Sequence, residues 1–136
     1  AGLRIGYGVG APELIEMMNR VRQPFNVNHL AQIAATASLD DKNFIEESRS
    51  ANNIGMKQLT DAFKVLDLEF IPSYGNFVSF KLEDEKTAMM YYHHLLNNGV
   101  IVRPIANYDL PKFLRVSVGL ENENNTFIKY LSNCNI

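Results

Sequence analysis

The chain has 136 residues, a net charge of -2 and 46% hydrophobic residues, the proportions of one ordinary globular domain. Acids and bases are interspersed, so no basic stripe suggests nucleic acid and no like-charge block suggests a disordered tail. The single cysteine, Cys134, excludes a disulfide framework and a cysteine-built metal site, and no apolar run approaches the ~20 residues of a bilayer span.

No signal-peptide pattern is present, so a cytoplasmic location is expected. Residues 3–9 are apolar and punctuated by glycine, which predicts a short buried strand with close neighbours. Pro12 opens a helix at a position where its missing N–H does no harm. Leu14, Ile15, Met17, Met18 and Val21 form the apolar face of that helix, and Pro24 stops the segment. Asn28 is the expected N-cap of a second helix running from His29 to about Leu39, rich in small residues and so suited to close packing.

From Asp41 to Leu66 the pattern is that of one long helix. Phe44, Ser48, Ala51, Gly55, Leu59, Ala62 or Phe63, and Leu66 recur at three- and four-residue steps. Such a helix would reach roughly 39 Å at 1.5 Å per residue. The expected radius of gyration of a compact domain of this length is only ~14 Å. A helix this long is expected to connect two bodies, the N-terminal of which looks incomplete. Met17, Met18, Val21 and the small residues of 30–37 are therefore expected to leave apolar surface uncovered.

Beyond Leu68 the texture changes. Glu69–Pro72 and Phe77–Leu82 read as strands around a Ser73-Tyr74-Gly75 turn, with Val78, Phe80 and Leu82 alternating on one face. Asp84 can cap a helix that ends at Asn98-Gly99. Val100–Arg103 reads as a strand halted by Pro104. Leu114, Val116 and Val118 alternate in another strand, which leaves Arg115 and Ser117 on its opposite face. Phe127, Ile128 and Leu131 build a last helix from Glu121 to about Ser132. The fold class is α/β with an α+β small domain. Residues 1–40 belong to one body, 41–66 to the connecting helix, and 67–136 to a small, mostly antiparallel sheet covered by two helices.

Three arginines stand in strand patterns: Arg4, Arg103 and Arg115. A guanidinium is permanently charged and offers a planar fork of donors matched to phosphate or carboxylate. If two or three converge, the ligand should carry two anionic groups; otherwise they are solvated edge positions. Other motifs carry less. Gly6-Tyr7-Gly8-Val9-Gly10 lacks the spacing of a dinucleotide loop. His93 and His94 are adjacent and point about 100° apart on a helix, so they cannot chelate one metal in the i, i+4 manner and are expected at the surface. His29 reads as a helix N-terminal residue, and the acid pairs Asp40-Asp41 and Glu46-Glu47 as solvated charges. Asn124-Asn125-Thr126 fits the N-glycosylation pattern and is taken as a chance match.

The stretch Ala1-Gly2-Leu3-Arg4-Ile5-Gly6-Tyr7 resembles the end of the S-K-x-x-x-L-A-G-L-R-x-G-Y signature of fold-type I pyridoxal-phosphate aminotransferases. Pro24-Phe25-Asn26-Val27-Asn28, Gly75-Asn76-Phe77-Val78, Gly99-Val100-Ile101-Val102-Arg103-Pro104 and Leu114-Arg115-Val116-Ser117-Val118-Gly119 follow in the family's order. The combination is most similar to the histidinol-phosphate aminotransferases and covers essentially the whole chain.

The resemblance implies a pyridoxal 5'-phosphate enzyme that passes an amino group between L-glutamate and imidazole-acetol phosphate, giving 2-oxoglutarate and histidinol phosphate, in histidine biosynthesis. It implies a homodimer when complete. The lysine that forms the Schiff base with the cofactor is expected just upstream of Ala1, which leaves this chain without a catalytic residue and inactive alone. Arg4 matches the arginine that grips the cofactor phosphate. Arg115 matches the substrate α-carboxylate arginine, and Arg103 one used for the substrate's own phosphate. Histidinol phosphate has no carboxylate, so Arg115 is expected to serve glutamate in one half-reaction and the phosphate substrate in the other. Asn76 is a further substrate-side candidate. Two other readings stay open: a related phosphate-substrate enzyme such as threonine-phosphate decarboxylase, and a stand-alone α+β module that binds a small anion without chemistry.

Overall fold

The computed structural model describes residues 2–134; Ala1, which opens the arginine-bearing motif, and residues 135–136 lie outside the described residues. The chain divides into two compact units, with the division after Glu46. Among the described residues no helix is long and apolar enough to cross a membrane.

The first unit contains two helices and begins the third. Helix α1 (Pro12–Val21) starts on its proline, with Glu13 in the first turn and Arg20 in the last, each favourable to the helix dipole. Its apolar side is uncovered: Leu14, Met17, Met18 and Val21 are all more than half exposed. In helix α2 (His29–Asp40) the Asn28 side chain accepts a hydrogen bond from the Ala31 N–H at 2.8 Å, the cap expected from the sequence. Ala31 is the buried residue of this helix. Residues 3–9 do not form the expected strand; they are irregular and mostly exposed. An apolar run becomes a strand only against a neighbour that takes its backbone hydrogen bonds, and among the described residues no strand pairs with it.

Helix α3 (Lys42–Val65) confirms the long periodic pattern; its 24 residues extend about 36 Å. Asp41, read from the sequence as a solvated charge, is exposed, and it also accepts a bond from the Phe44 N–H at 3.1 Å at the start of this helix. The second unit then builds a four-stranded antiparallel sheet. Strands β1 (Phe70–Ile71), β2 (Phe77–Lys81), β3 (Arg103–Ile105) and β4 (Leu110–Ser117) lie in the order β1-β2-β4-β3. Helix α4 (Glu85–Asn97) crosses between β2 and β3, and helix α5 (Glu121–Ser132) follows β4.

One face of the sheet is buried. Phe80 pairs with Leu114 and Val78 with Val116, all at most 6% exposed, and together they pack on Leu59 and Phe63 of α3, Ala88 and Leu95 of α4, and Phe127 and Leu131 of α5. Three helices cover this face rather than the two expected, because the second half of α3 lies on it as well. Phe63 stacks on Phe80 with ring centroids 4.9 Å apart, and Phe127 meets both edge-on at 6.2 and 5.8 Å.

The strand expected at Val100–Arg103 is displaced to Arg103–Ile105, with Pro104 inside it instead of ending it. The reason is position: β3 is an edge strand, where a residue without an N–H can point its bare nitrogen away from the ladder. The expected surface position of His94 changes as well. His94 is half-buried, and its Nε2–H donates to the Tyr130 carbonyl at 3.1 Å, tying α4 to α5; a carbonyl only accepts, which fixes the tautomer. Cys134 is buried at 8% exposure, and burial pushes its thiol up, away from the reactive thiolate form.

A polar knot closes the second unit where β4 runs into α5. Asn124, only 2% exposed, donates to Gln58 Oε1 at 2.9 Å and to the Gly119 carbonyl at 3.1 Å, and accepts from the Gly119 N–H at 2.9 Å. A side chain held this way offers no amide to a glycan, which agrees with reading the sequon as chance. Gly55 of α3 faces the knot. A Cβ there would stand 2.5 Å from Val118 Cγ1 and 2.8 Å from Asn124 Nδ2. Glu123 reaches back to the Leu120 N–H at 2.7 Å and secures the start of α5.

Gly55→Ala should therefore destabilise the chain by about 1–3 kcal/mol through overpacking, against the usual gain for this change inside a helix. Urea unfolding that shows the variant at or above parental stability would refute the knot's rigidity. A second expectation concerns acid. Asp84 caps α4 by accepting from the Thr87 N–H at 2.7 Å, and that bond holds its carboxyl below the usual carboxylate range. The stabilisation is complete above the unfolded carboxyl's value near pH 4 and fades as pH falls through the lower folded value. Asp84→Ala should be less stable than the parent at pH 7, with the gap closing at the acid end; a gap independent of pH would rule out the cap as its source.

Candidate functional site

The sheet face opposite the core carries the candidate residues, and alternation along β4 puts them there. Leu114 and Val116 point into the core, so Arg115 and Ser117 point away from it. Across the ladder Arg115 pairs with Arg103 of β3 on one side and with Ser79 of β2 on the other, and Ser79 pairs in turn with Ile71 of β1. Ile71, Ser79, Arg115 and Arg103 therefore form one row across all four strands.

Two arginines directly opposite each other on one face repel, and such like-charge pairs are destabilising in a sheet. Among the described residues neither has a carboxylate at ion-pair distance. Each lies against an aromatic ring instead. Arg115 Cζ is 4.6 Å from the Phe77 ring centroid, and Arg103 Cζ is 5.9 Å from that of Tyr108. Phe77 opposes Ser117, so it is the diagonal neighbour of Arg115 and within reach of its side chain. The rings attract the charge while leaving the N–H donors unconsumed. The arrangement is two forks with ten N–H donors between them, suited to an anion that bridges the pair or to two anionic groups of one ligand.

Of the residues expected from the sequence, the structure brings Arg103 and Arg115 together. Asn76 lies one residue before Phe77 and so alternates to the other side of the sheet, where it lines a hollow with Ser48, Asn52, Val118 and Glu123. Its turn is fixed by Asn52 Nδ2, which donates to the Gly75 carbonyl at 3.1 Å, and its own carbonyl accepts from Val118 N–H at 2.8 Å. Arg4 belongs to the first unit and is exposed, with φ at 58°. Around it, Gly2, Gly6 and Gly8 leave open space where Cβ atoms would stand.

Two members of the arginine face escape sequence reasoning. Phe77 becomes the diagonal neighbour of Arg115 only through the β2–β4 register, a long-range pairing that the sequence does not state. Tyr108 could not have been found either, because its place depends on a break in the β3–β4 register between Pro104 and Ile105. Among the described residues no cluster of three His, Cys, Asp or Glu could hold a metal ion.

The sequence model of the family described as aminotransferase class I and II matches residues 1–131. The chain is 54% identical over 131 residues to the histidinol-phosphate aminotransferase of Methylobacillus flagellatus, covering 96% of this chain and 35% of that protein. It is 53% identical over 131 residues to histidinol-phosphate aminotransferase 1 of Nitrosococcus oceani, with 96% of this chain and 35% of that protein covered. The chain thus spans about a third of the length of these curated relatives. Among solved structures, histidinol-phosphate aminotransferase from Sinorhizobium meliloti in complex with pyridoxal-5'-phosphate shares the fold at a TM-score of 0.82, with 23% identity over 98% of this chain and 37% of that one. The antiparallel sheet with its covering helices and the match over nearly the whole sequence lead to one conclusion: this chain belongs to the aminotransferase class I and II family.

Proposed function

We propose that this chain is the substrate-binding C-terminal portion of a pyridoxal-phosphate-dependent histidinol-phosphate aminotransferase, which passes an amino group between L-glutamate and imidazole-acetol phosphate. The observation that carries the reading is the cross-strand pair Arg103 and Arg115, two forks on one face with no acid opposite them. A dianionic substrate or a phosphate relieves that repulsion, and a neutral ligand does not. The relatives' names supply the substrate class. In this reading residues 1–40 belong to a large cofactor domain, α3 links it to the small domain, and the complete protein is a cytoplasmic homodimer.

This chain's donors fit the cofactor's phosphate. Arg4, on a stretch where Gly2, Gly6 and Gly8 leave open space at their Cβ positions, would hold that group with its guanidinium. When bound, pyridoxal phosphate supplies the electron sink that amino-group transfer needs. Arg115 takes the α-carboxylate of glutamate by a two-point contact, and its position on a central strand fixes the angle at which the amino acid enters. Arg103 takes the phosphate of the other substrate. Phe77 shields one side of the Arg115 guanidinium from water and so strengthens its contact with the bound anion. Asn76 is exposed, and its carbonyl, accepting from the Val118 N–H, holds the turn that delivers Phe77. The proton is moved by a lysine that precedes Arg4 in the family signature. Lysines 57, 64 and 81 of this chain are engaged with Asp61 and Glu69 on the surface.

The test is single-turnover kinetics of each half-reaction in the full-length protein. Arg115→Lys keeps the charge but loses the planar contact, and glutamate turnover should fall roughly 10- to 150-fold, the equivalent of about 1.5–3 kcal/mol. Arg103→Ala should penalise the phosphate substrate while glutamate stays within a few-fold of the parent. Absence of any transfer from glutamate to imidazole-acetol phosphate in the parent would overturn the assignment. Equal losses in both half-reactions with a lowered melting temperature would make the arginines scaffold.

A further inference from the structure

The arginine face has an asymmetry that no motif of the chain announces. Arg115 stands on a central strand, half-buried, with Phe77 beside it in the sheet. Arg103 stands on an edge strand and is exposed, and its ring comes from outside the sheet. After β3 the chain makes a single 3₁₀ turn, Ala106–Tyr108, and passes through Asp109 in the left-handed region at φ 60°. The Asp109 N–H donates to the Ala106 carbonyl at 3.0 Å, and Leu110 then pairs back with Ile105 to close the hairpin. Backbone hydrogen bonds therefore set the turn that carries Tyr108, five residues beyond the arginine it meets.

An exposed arginine explores many rotamers, and one opposite a second guanidinium is pushed away from it toward water. A phosphate fork is useful only while it stays at the ladder. We infer that Tyr108 is a positioning residue for Arg103: its ring draws the guanidinium back to the sheet against the repulsion of Arg115, and so favours a phosphate-bearing substrate over one that carries only a carboxylate. The ring acts without taking an N–H donor, which an aspartate in the same place would do. The contact with the α-carboxylate of glutamate is unaffected, since it is made by Arg115, which Phe77 holds separately. This role rests on the reading of Arg103 as the phosphate fork.

The strength of a cation–π contact at an exposed site corresponds to a change of about 2- to 5-fold in the ordered population. Tyr108→Leu in the full-length enzyme should raise KM for histidinol phosphate by that factor with kcat unchanged, and leave the glutamate half-reaction at the parental rate. Tyr108→Phe keeps the ring and should behave as the parent. Because Tyr108 is 57% exposed, neither change should lower the melting temperature. Two further readings do not depend on turnover. The Arg103 Nε–Hε resonance, assigned with Arg103→Lys, should carry a ring-current displacement that Tyr108→Phe retains and Tyr108→Leu abolishes. Inorganic phosphate, titrated as the probe, should bind Tyr108→Leu about 2- to 5-fold more weakly. A parental KM and phosphate affinity in Tyr108→Leu would overturn the inference, as would a Tyr108→Phe that loses as much as Tyr108→Leu. If the parent enzyme does not turn over histidinol phosphate, the functional assignment falls, and the resonance and the phosphate titration still decide whether the ring holds the arginine.

Discussion

The period-two alternation of β4 is the constraint on which both the core and the site depend. Leu114 and Val116 are drawn inward by the same burial that forces Arg115 and Ser117 outward, so the candidate fork cannot move without inverting the core. The aromatic trio of Phe63, Phe80 and Phe127 locks that choice by joining α3, β2 and α5 over the strand. A one-residue slip of β4 would bury a guanidinium among these rings and expose two aliphatic side chains. The register is thereby protected by an energy far larger than any contact on the open face itself.

Much of the second unit is legible in the sequence because its signals are local. The Asp84 cap, the alternation of Val78, Phe80 and Leu82, and the outward direction of Arg115 follow from neighbours one to four residues away. What fails is what depends on distant partners. Residues 3–9 have the composition of a strand and nothing in the described residues to pair with. Pro104 looks like a stop, and is tolerated because sheet order happens to put β3 at the edge. Asn124 looks like a surface residue of a polar helix start, yet it is the buried centre of a knot whose other members, Gln58 and Gly119, lie 66 and 5 residues away.

The site divides along the same line. That Arg103 and Arg115 are chemically alike is visible in the sequence, but that they face each other is not. Their pairing needs β4 to be inserted between β2 and β3, a crossover that only the α4 connection makes possible. The outcome is a local conflict in an otherwise consistent fold: two positive charges placed opposite each other and buffered only by rings. Folds tolerate such conflicts where a ligand resolves them, and the core beneath is satisfied enough to hold the strain. Asn76 illustrates the converse: it neighbours Phe77 in sequence, and it lines a hollow with Ser48 and Asn52 of α3.

The outer strands of the sheet carry one more consequence. β1 has two residues and is followed at once by Pro72; β3 has three and contains Pro104. Each edge thus offers only a short row of free backbone groups, interrupted by a residue with no N–H to give. A strand from a neighbouring molecule would find too little to grip, so the sheet is guarded against extension into fibrils even while one of its faces stands open to a ligand.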